Sequence, residues 1–203
     1  PEFDFTLNLR KADLYRLHFD RSDTSSNATM LLTANFKGNS IDNLDGEIKL
    51  LNSSFRKYST NLAIYDFSIR TFAENSRPSI TLRTDFIDAN LNGHYSFAGL
   101  RDVVKGAMAA LIPSKYGSTI PVVNPVENNF VFDIRFKNTD GLNKFLKTGM
   151  LISAGTTITG IIRPDSLVSV TCNSKKLSFN DIVFNDLEVK ATYGDSLFNA
   201  TIT

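Results

Sequence analysis

Apolar and polar residues alternate one by one at the start of this chain: Phe3, Phe5, Leu7 and Leu9 are separated by Asp4, Thr6 and Asn8. The same period returns at the far end, where Phe198, Ala200 and Ile202 alternate with Asn199 and Thr201. A period of two sends successive side chains to opposite faces of a strand. The chain is therefore expected to form sheet with one apolar and one wet face. Something must then keep water off the apolar side, and that covering is the functional question.

Strands are expected at 2–10, 12–19, 29–37, 44–51, 61–71, 79–86, 87–97, 129–137, 155–163, 166–172, 177–184, 186–193 and 196–203, separated by turn residues such as Asn39-Ser40 and Asn52-Ser53-Ser54. Two places change phase. Leu62 and Ile64 give way to Tyr65, Phe67 and Ile69, and Leu82, Thr84 and Phe86 give way to Ile87, Ala89 and Leu91. A slip of this kind marks a β-bulge or bend, which curves a sheet. Two helices are expected. Leu100, Val103, Val104, Ala107, Met108 and Leu111 follow helical spacing, with Pro113 as the stop. A shorter helix is capped by Asp140, presents Leu142, Phe145 and Leu146, and stops at Gly149. The irregular stretch 113–128 then divides a front β block, 1–112, from a rear β block, 129–203. The two blocks share a loose strand rhythm that points to an elongated structure.

Composition narrows the function classes. Lys+Arg is 22 against Asp+Glu of 21, a net charge of +1, so no basic excess draws nucleic acid. Phe numbers 16 against Tyr 6 and no Trp, which fits greasy lining better than a stacking platform for sugars or bases. The single cysteine, Cys172, sits in a strand pattern and reads as a small buried hydrophobe. No run of about 18 apolar residues is present to span a membrane as a helix. The chain opens at Pro1 straight into a strand, and is read as a segment of a longer protein.

A search for chemistry returns little. His18 and His94 have no metal-ligand neighbours in sequence and read as ordinary strand or surface histidines. Asp85 and Asp88 could form an acid–base pair of the glycosidase kind. The favoured alternative is a bend whose aspartates accept backbone N–H bonds. Nucleophile-elbow, zincin, C-x-x-C, phosphate-loop and EF-hand signatures are missing. Asn27, Asn52 and Asn199 open N-x-S/T triplets that matter only in a eukaryotic secretory setting. No enzyme activity, cofactor or metal is expected.

The apolar faces of so many strands exceed what two short helices can hide, and at ~25 cal/mol per Å2 leaving them wet would cost tens of kcal/mol. A second sheet can cover them, as in a β-sandwich; the sheet can close into a barrel; or it can curve into a trough that a ligand fills. The bulge-like slips favour the trough: mainly β, an elongated, curved antiparallel sheet with two short helices.

Several pieces resemble the TamB branch of the AsmA-like envelope proteins. They are Leu7-Asn8-Leu9-Arg10-Lys11-Ala12-Asp13-Leu14, the run from Leu44 to Phe55, the strand Leu62 to Ile69, and above all Thr84-Asp85-Phe86-Ile87-Asp88-Ala89-Asn90-Leu91-Asn92-Gly93. This last run resembles the family's S-D-F-x-D-A-x-x-x-G segment, with Thr84 in the place of Ser. The helix expected from Leu100 to Ile112 also fits, so the likeness covers roughly residues 1–112, and the rear block shares only the rhythm. The resemblance implies a taco-shaped sheet with a hydrophobic groove, in a Gram-negative periplasmic protein whose full-length parent is anchored in the inner membrane. It implies phospholipid transport between inner and outer membranes, or outer-membrane assembly beside a barrel partner, and no catalytic residues. Phospholipid acyl chains are then the expected ligand. Parity selects the groove lining: Phe3, Phe5, Leu7, Leu9, Met30, Leu32, Phe36, Ile48, Leu50, Phe130, Phe132, Ile134 and Phe136. The alternative is a structural or adhesive β-sandwich binding a protein or glycan partner.

Overall fold

The computed structural model describes residues 1–72, 78–97, 100, 129–163, 167–179, 182–194 and 197–203. The helix expected from Leu100 and the stretch 113–128 lie outside them. The strands are β1 (Glu2–Asp13), β2 (Asn27–Lys37), β3 (Asp45–Lys57), β4 (Thr60–Phe72), β5 (Ser79–Thr84), β6 (Ile87–His94) and β7 (Asn129–Phe136). Helix α1 (Asp140–Leu146) and the short β8 (Met150–Ile152) follow, then β9 (Thr157–Arg163), β10 (Leu167–Phe179), β11 (Ile182–Gly194) and β12 (Leu197–Ile202).

All twelve belong to one antiparallel sheet in the order β1-β2-β3-β4-β5-β6-β7-β9-β10-β11-β12, with β8 paired to β10. β1 and β12 are its two ends, so the sheet is open rather than a barrel. Among the described residues no second sheet packs on it, and the sandwich alternative is set aside. At ~4.8 Å per strand it is about 50 Å across. The front and rear blocks join directly, because β6 pairs with β7 from Ile87↔Phe136 to His94↔Asn129.

The phase slips have two different causes. In β3, Asn52 adopts a left-handed φ of 45° where the register with β2 shifts between Thr29 and Leu31, which is a bulge. β4 slips at Tyr65 in step with it, so the β3–β4 register runs unbroken from Gly46↔Thr71 to Lys57↔Thr60. A second bulge lies in β1 between Leu9 and Ala12. The slip at Phe86–Ile87 is instead a hairpin turn. The Thr84 hydroxyl closes it, accepting from the Ile87 N–H at 2.8 Å and donating to the Ile87 carbonyl at 2.8 Å.

Three further expectations change. The strand expected at 12–19 ends at Asp13. The Asp13 carboxylate accepts the Arg16 N–H at 3.0 Å and its carbonyl accepts the Leu17 N–H at 3.1 Å, winding Leu14–Phe19 into turns. The strands expected at 166–172 and 177–184 are reorganised: β10 runs unbroken to Phe179, and the chain reverses before Ile182. α1 forms where expected, but Thr139 is its N-cap residue and Lys147, in left-handed conformation at φ 52°, ends it rather than Gly149. Leu146 points to solvent, so only Leu142 and Phe145 of the expected sticky face are half-buried.

α1 fills a notch. β5 pairs with β4 only from Phe67 to Phe72, which leaves Thr60–Asp66 of β4 without a strand on that side. Asp85 finishes the ladder there, its carboxylate accepting the N–H groups of Tyr65 at 2.6 Å and Asp66 at 3.3 Å. Beyond it α1 packs between β4 and β8. Gly141 of α1 faces Leu62 of β4, where a β-carbon would make an ordinary contact at 4.0 Å with Leu62 Cδ1.

Candidate functional site

Direct cross-strand partners in an antiparallel sheet share a face, so the register can be followed from edge to edge. Starting at Phe5, the successive partners are Ala34, Ile48, Ile69, Leu82, Ala89, Ile134, Ile158, Cys172, Val189 and Ile202. Every member is apolar. One residue earlier, from Asp4, the partners are Asn35, Glu47, Arg70, Thr81, Asn90, Asp133, Thr159, Thr171, Lys190 and Thr201. Every member is polar. The sheet thus separates its two faces completely along these two rows.

The thirteen residues expected to line a groove all stand on the apolar face. Phe3, Phe5, Leu7 and Leu9 come from β1, and Met30, Leu32 and Phe36 from β2. Ile48 and Leu50 come from β3, and Phe130, Phe132, Ile134 and Phe136 from β7. Sequence reading missed their partners on the same face, among them Phe67, Ile69, Leu82, Ile158, Ile162 and Val189. The same alternation that marks the thirteen marks these as well, in β4, β5, β9 and β11. The buried apolar residues, Ala12, Ala28, Ala34, Leu62, Phe130, Ile162 and Val189, also belong to this face. Toward the β1 edge the apolar side chains are more open to solvent: Phe3, Phe5 and Leu7 are 43%, 45% and 41% exposed.

Aromatic rings fill the face where backbones come close. Phe132 lies opposite Gly160, Phe36 opposite Gly46 and Phe130 opposite Gly93. The ring of Phe3 packs on that of Phe36 with centroids 5.0 Å apart, and Phe130 and Phe132 are 6.1 Å apart along β7. Cys172 is half-buried in the apolar row, rather than buried as expected, and desolvation pushes its thiol pKa up. That environment disfavours the thiolate.

The wet face carries ion pairs and amide bonds. Glu47 meets Lys49 at 2.7 Å and Arg70 at 3.8 Å, and Glu188 meets Lys190 at 2.6 Å. Asn90 bridges the Arg83 guanidinium at 2.9 Å and the Asp133 carboxylate at 3.0 Å. Asp88 is held by Lys137 at 2.7 Å, while Asp85 is occupied by the β4 backbone. The two carboxylates therefore have separate partners: Asp85 accepts backbone N–H groups as expected, though from β4 rather than from its own bend, while Asp88 takes a lysine side chain instead. His18 sits in the turn after β1 with φ 61° and His94 ends β6. Among the described residues no three His, Cys, Asp or Glu gather as metal ligands, and no helix is long and apolar enough to cross a membrane.

No protein-family model matches the chain, and neither a curated protein nor a solved structure is found similar to it.

Proposed function

We propose that the apolar face is a bed for phospholipid acyl chains, in a segment of a periplasmic envelope protein that lets lipids pass between membranes. The apolar row from Phe5 to Ile202 carries this reading, because it offers a tail an unbroken greasy path across the strands. A tail lying there avoids the ~0.8 kcal/mol per CH2 cost of meeting water, while its headgroup stays outside. Transfer is passive and needs no catalytic residue. The likeness of residues 1–112 to TamB-like proteins supports the same reading, together with an outer-membrane barrel as partner of the full-length parent and an inner-membrane anchor.

Lipid extracted from the purified protein and identified by mass spectrometry tests the proposal. Phospholipid is expected in the wild-type extract and depleted in Phe36→Asp and Phe132→Asp variants that keep their circular dichroism spectra. Absence of lipid from the wild type after mild purification, or equal retention by folded variants, overturns it.

A further inference from the structure

The turns Leu14–Phe19 do more than connect β1 to β2. They leave Tyr15, Leu17 and Phe19 41%, 53% and 80% exposed, and Arg16 beside them has a side chain 86% exposed. The segment is fixed to the rest of the molecule through the β3–β4 hairpin. Lys57 Nζ meets the Asp20 carboxylate at 3.1 Å, the Tyr58 hydroxyl donates to the Ser22 carbonyl at 3.3 Å, and the Tyr58 N–H donates to Asp23. Tyr58 also meets Lys147 at the end of α1, whose Nζ stands 4.8 Å from the ring centroid, next to the exposed Leu146. Turn, hairpin and helix end therefore form one continuous surface around Tyr58, at the same end of the sheet.

The charges on that surface are sorted. Asp20 is engaged by Ser22 and Lys57, and Asp23 by Ser25 and the Tyr58 backbone, so their negative charge is turned inward. Arg21, Arg56 and Lys144 are exposed and have no acidic partner among the described residues. Each lies two residues from an exposed apolar side chain of the same segment: Arg21 from Phe19, Arg56 from Tyr58 and Lys144 from Leu146. Protruding apolar residues amid unpaired Lys and Arg match the chemistry of an anionic lipid–water interface. The apolar tips enter the acyl boundary and the cations meet phosphate.

We infer that the surface formed by Leu14–Phe19, the Tyr58 hairpin and the end of α1 docks on anionic bilayers. This surface lies at the end of the sheet, apart from the apolar row, and the inference stands without the conduit reading.

Co-sedimentation with vesicles of phosphatidylcholine, alone or with about one quarter phosphatidylglycerol, tests it. The protein is expected to sediment with the anionic vesicles and at least about tenfold more weakly with the neutral ones, with added salt weakening the binding. A Leu17→Ser/Phe19→Ser variant and an Arg21→Glu/Lys144→Glu variant should each lose about tenfold in partitioning while keeping the wild-type thermal midpoint. If the first fails to fold, the charge variant alone decides. No sedimentation with anionic vesicles, or wild-type sedimentation by the folded variants, overturns the inference. So does equal binding to both vesicle types. A Leu82→Asp variant, altered only in the apolar row, should dock normally, so docking and lipid retention can fail independently.

Discussion

The ring of Phe132 lies over Gly160, its cross-strand partner: a β-carbon on Gly160 would stand 2.5 Å from Cε1 and Cζ of that ring and 2.8 Å from the Ser169 carbonyl oxygen. The glycine is there for space, and the phenyl group covers the backbone that it leaves bare. Gly160→Ala should therefore displace the ring and destabilise the protein by about 1–3 kcal/mol. Thermal unfolding of Gly160→Ala, Phe132→Leu and the double variant checks this. The leucine should recover part of the loss caused by alanine, and strict additivity would refute the coupling.

The two rows predict opposite responses at neighbouring positions. Thr81 and Leu82 are adjacent in β5 but face opposite ways. Thr81→Asp should leave stability within about 0.5 kcal/mol and lipid retention unchanged. Leu82→Asp should cost about 2–4 kcal/mol and reduce retained phospholipid several-fold. Chemical denaturation and lipid extraction read the two effects. Similar losses at both positions would contradict the assigned faces.

Much of this was legible because alternation is a register signal as well as a strand signal. A strand whose wrong parity would turn Phe5 or Ile48 outward has little freedom to slip, so the face each residue takes follows from the pattern, while the pairing that joins them into a row does not. The turn at Leu14–Phe19 was misread because its apolar residues resemble a strand. The deciding group was the Asp13 side chain, which captures the Arg16 N–H. β8 was missed because three residues carry no periodicity, and its partners Leu177–Phe179 become available only where β9 has not yet begun. The surface around Tyr58 was illegible because its parts come from three distant segments.

Asp85 makes a local test of the notch. Asp85→Ala removes the acceptor for Tyr65 and Asp66 and should cost about 1 kcal/mol, with faster hydrogen exchange at those two amides. Asp85→Asn keeps one acceptor oxygen and should fall between. Unchanged exchange at both amides in the alanine variant would show that the carboxylate does not close the ladder.

Acid should loosen the segment between β1 and β2. Hydrogen bonds from the Ser22 side chain and backbone, with Lys57 adding attraction, hold the Asp20 pKa down to about 2. The Tyr58 and Ser25 backbone N–H groups lower that of Asp23. A carboxylate depressed in the folded state contributes stability above its unfolded pKa of about 3.9 and loses it as pH falls through the folded value. The segment should stay ordered at neutral pH and loosen between about pH 4 and pH 2. Amide NMR signals of Ser22, Ser25 and Tyr58 followed through that range should report it, and an Asp20→Asn/Asp23→Asn variant should show a flatter profile.

The order of strands in the sheet almost repeats their order in the chain, with only α1 and β8 stepping aside between β7 and β9. Most backbone pairing is therefore between neighbours along the chain, and loop closure over long separations is small. Such a sheet can grow hairpin by hairpin as the polypeptide emerges, each new strand templated by the one before it. A defect in one strand should then fray its neighbours before it reaches the far side. The sequential strand order thus lets the sheet be assembled in one direction.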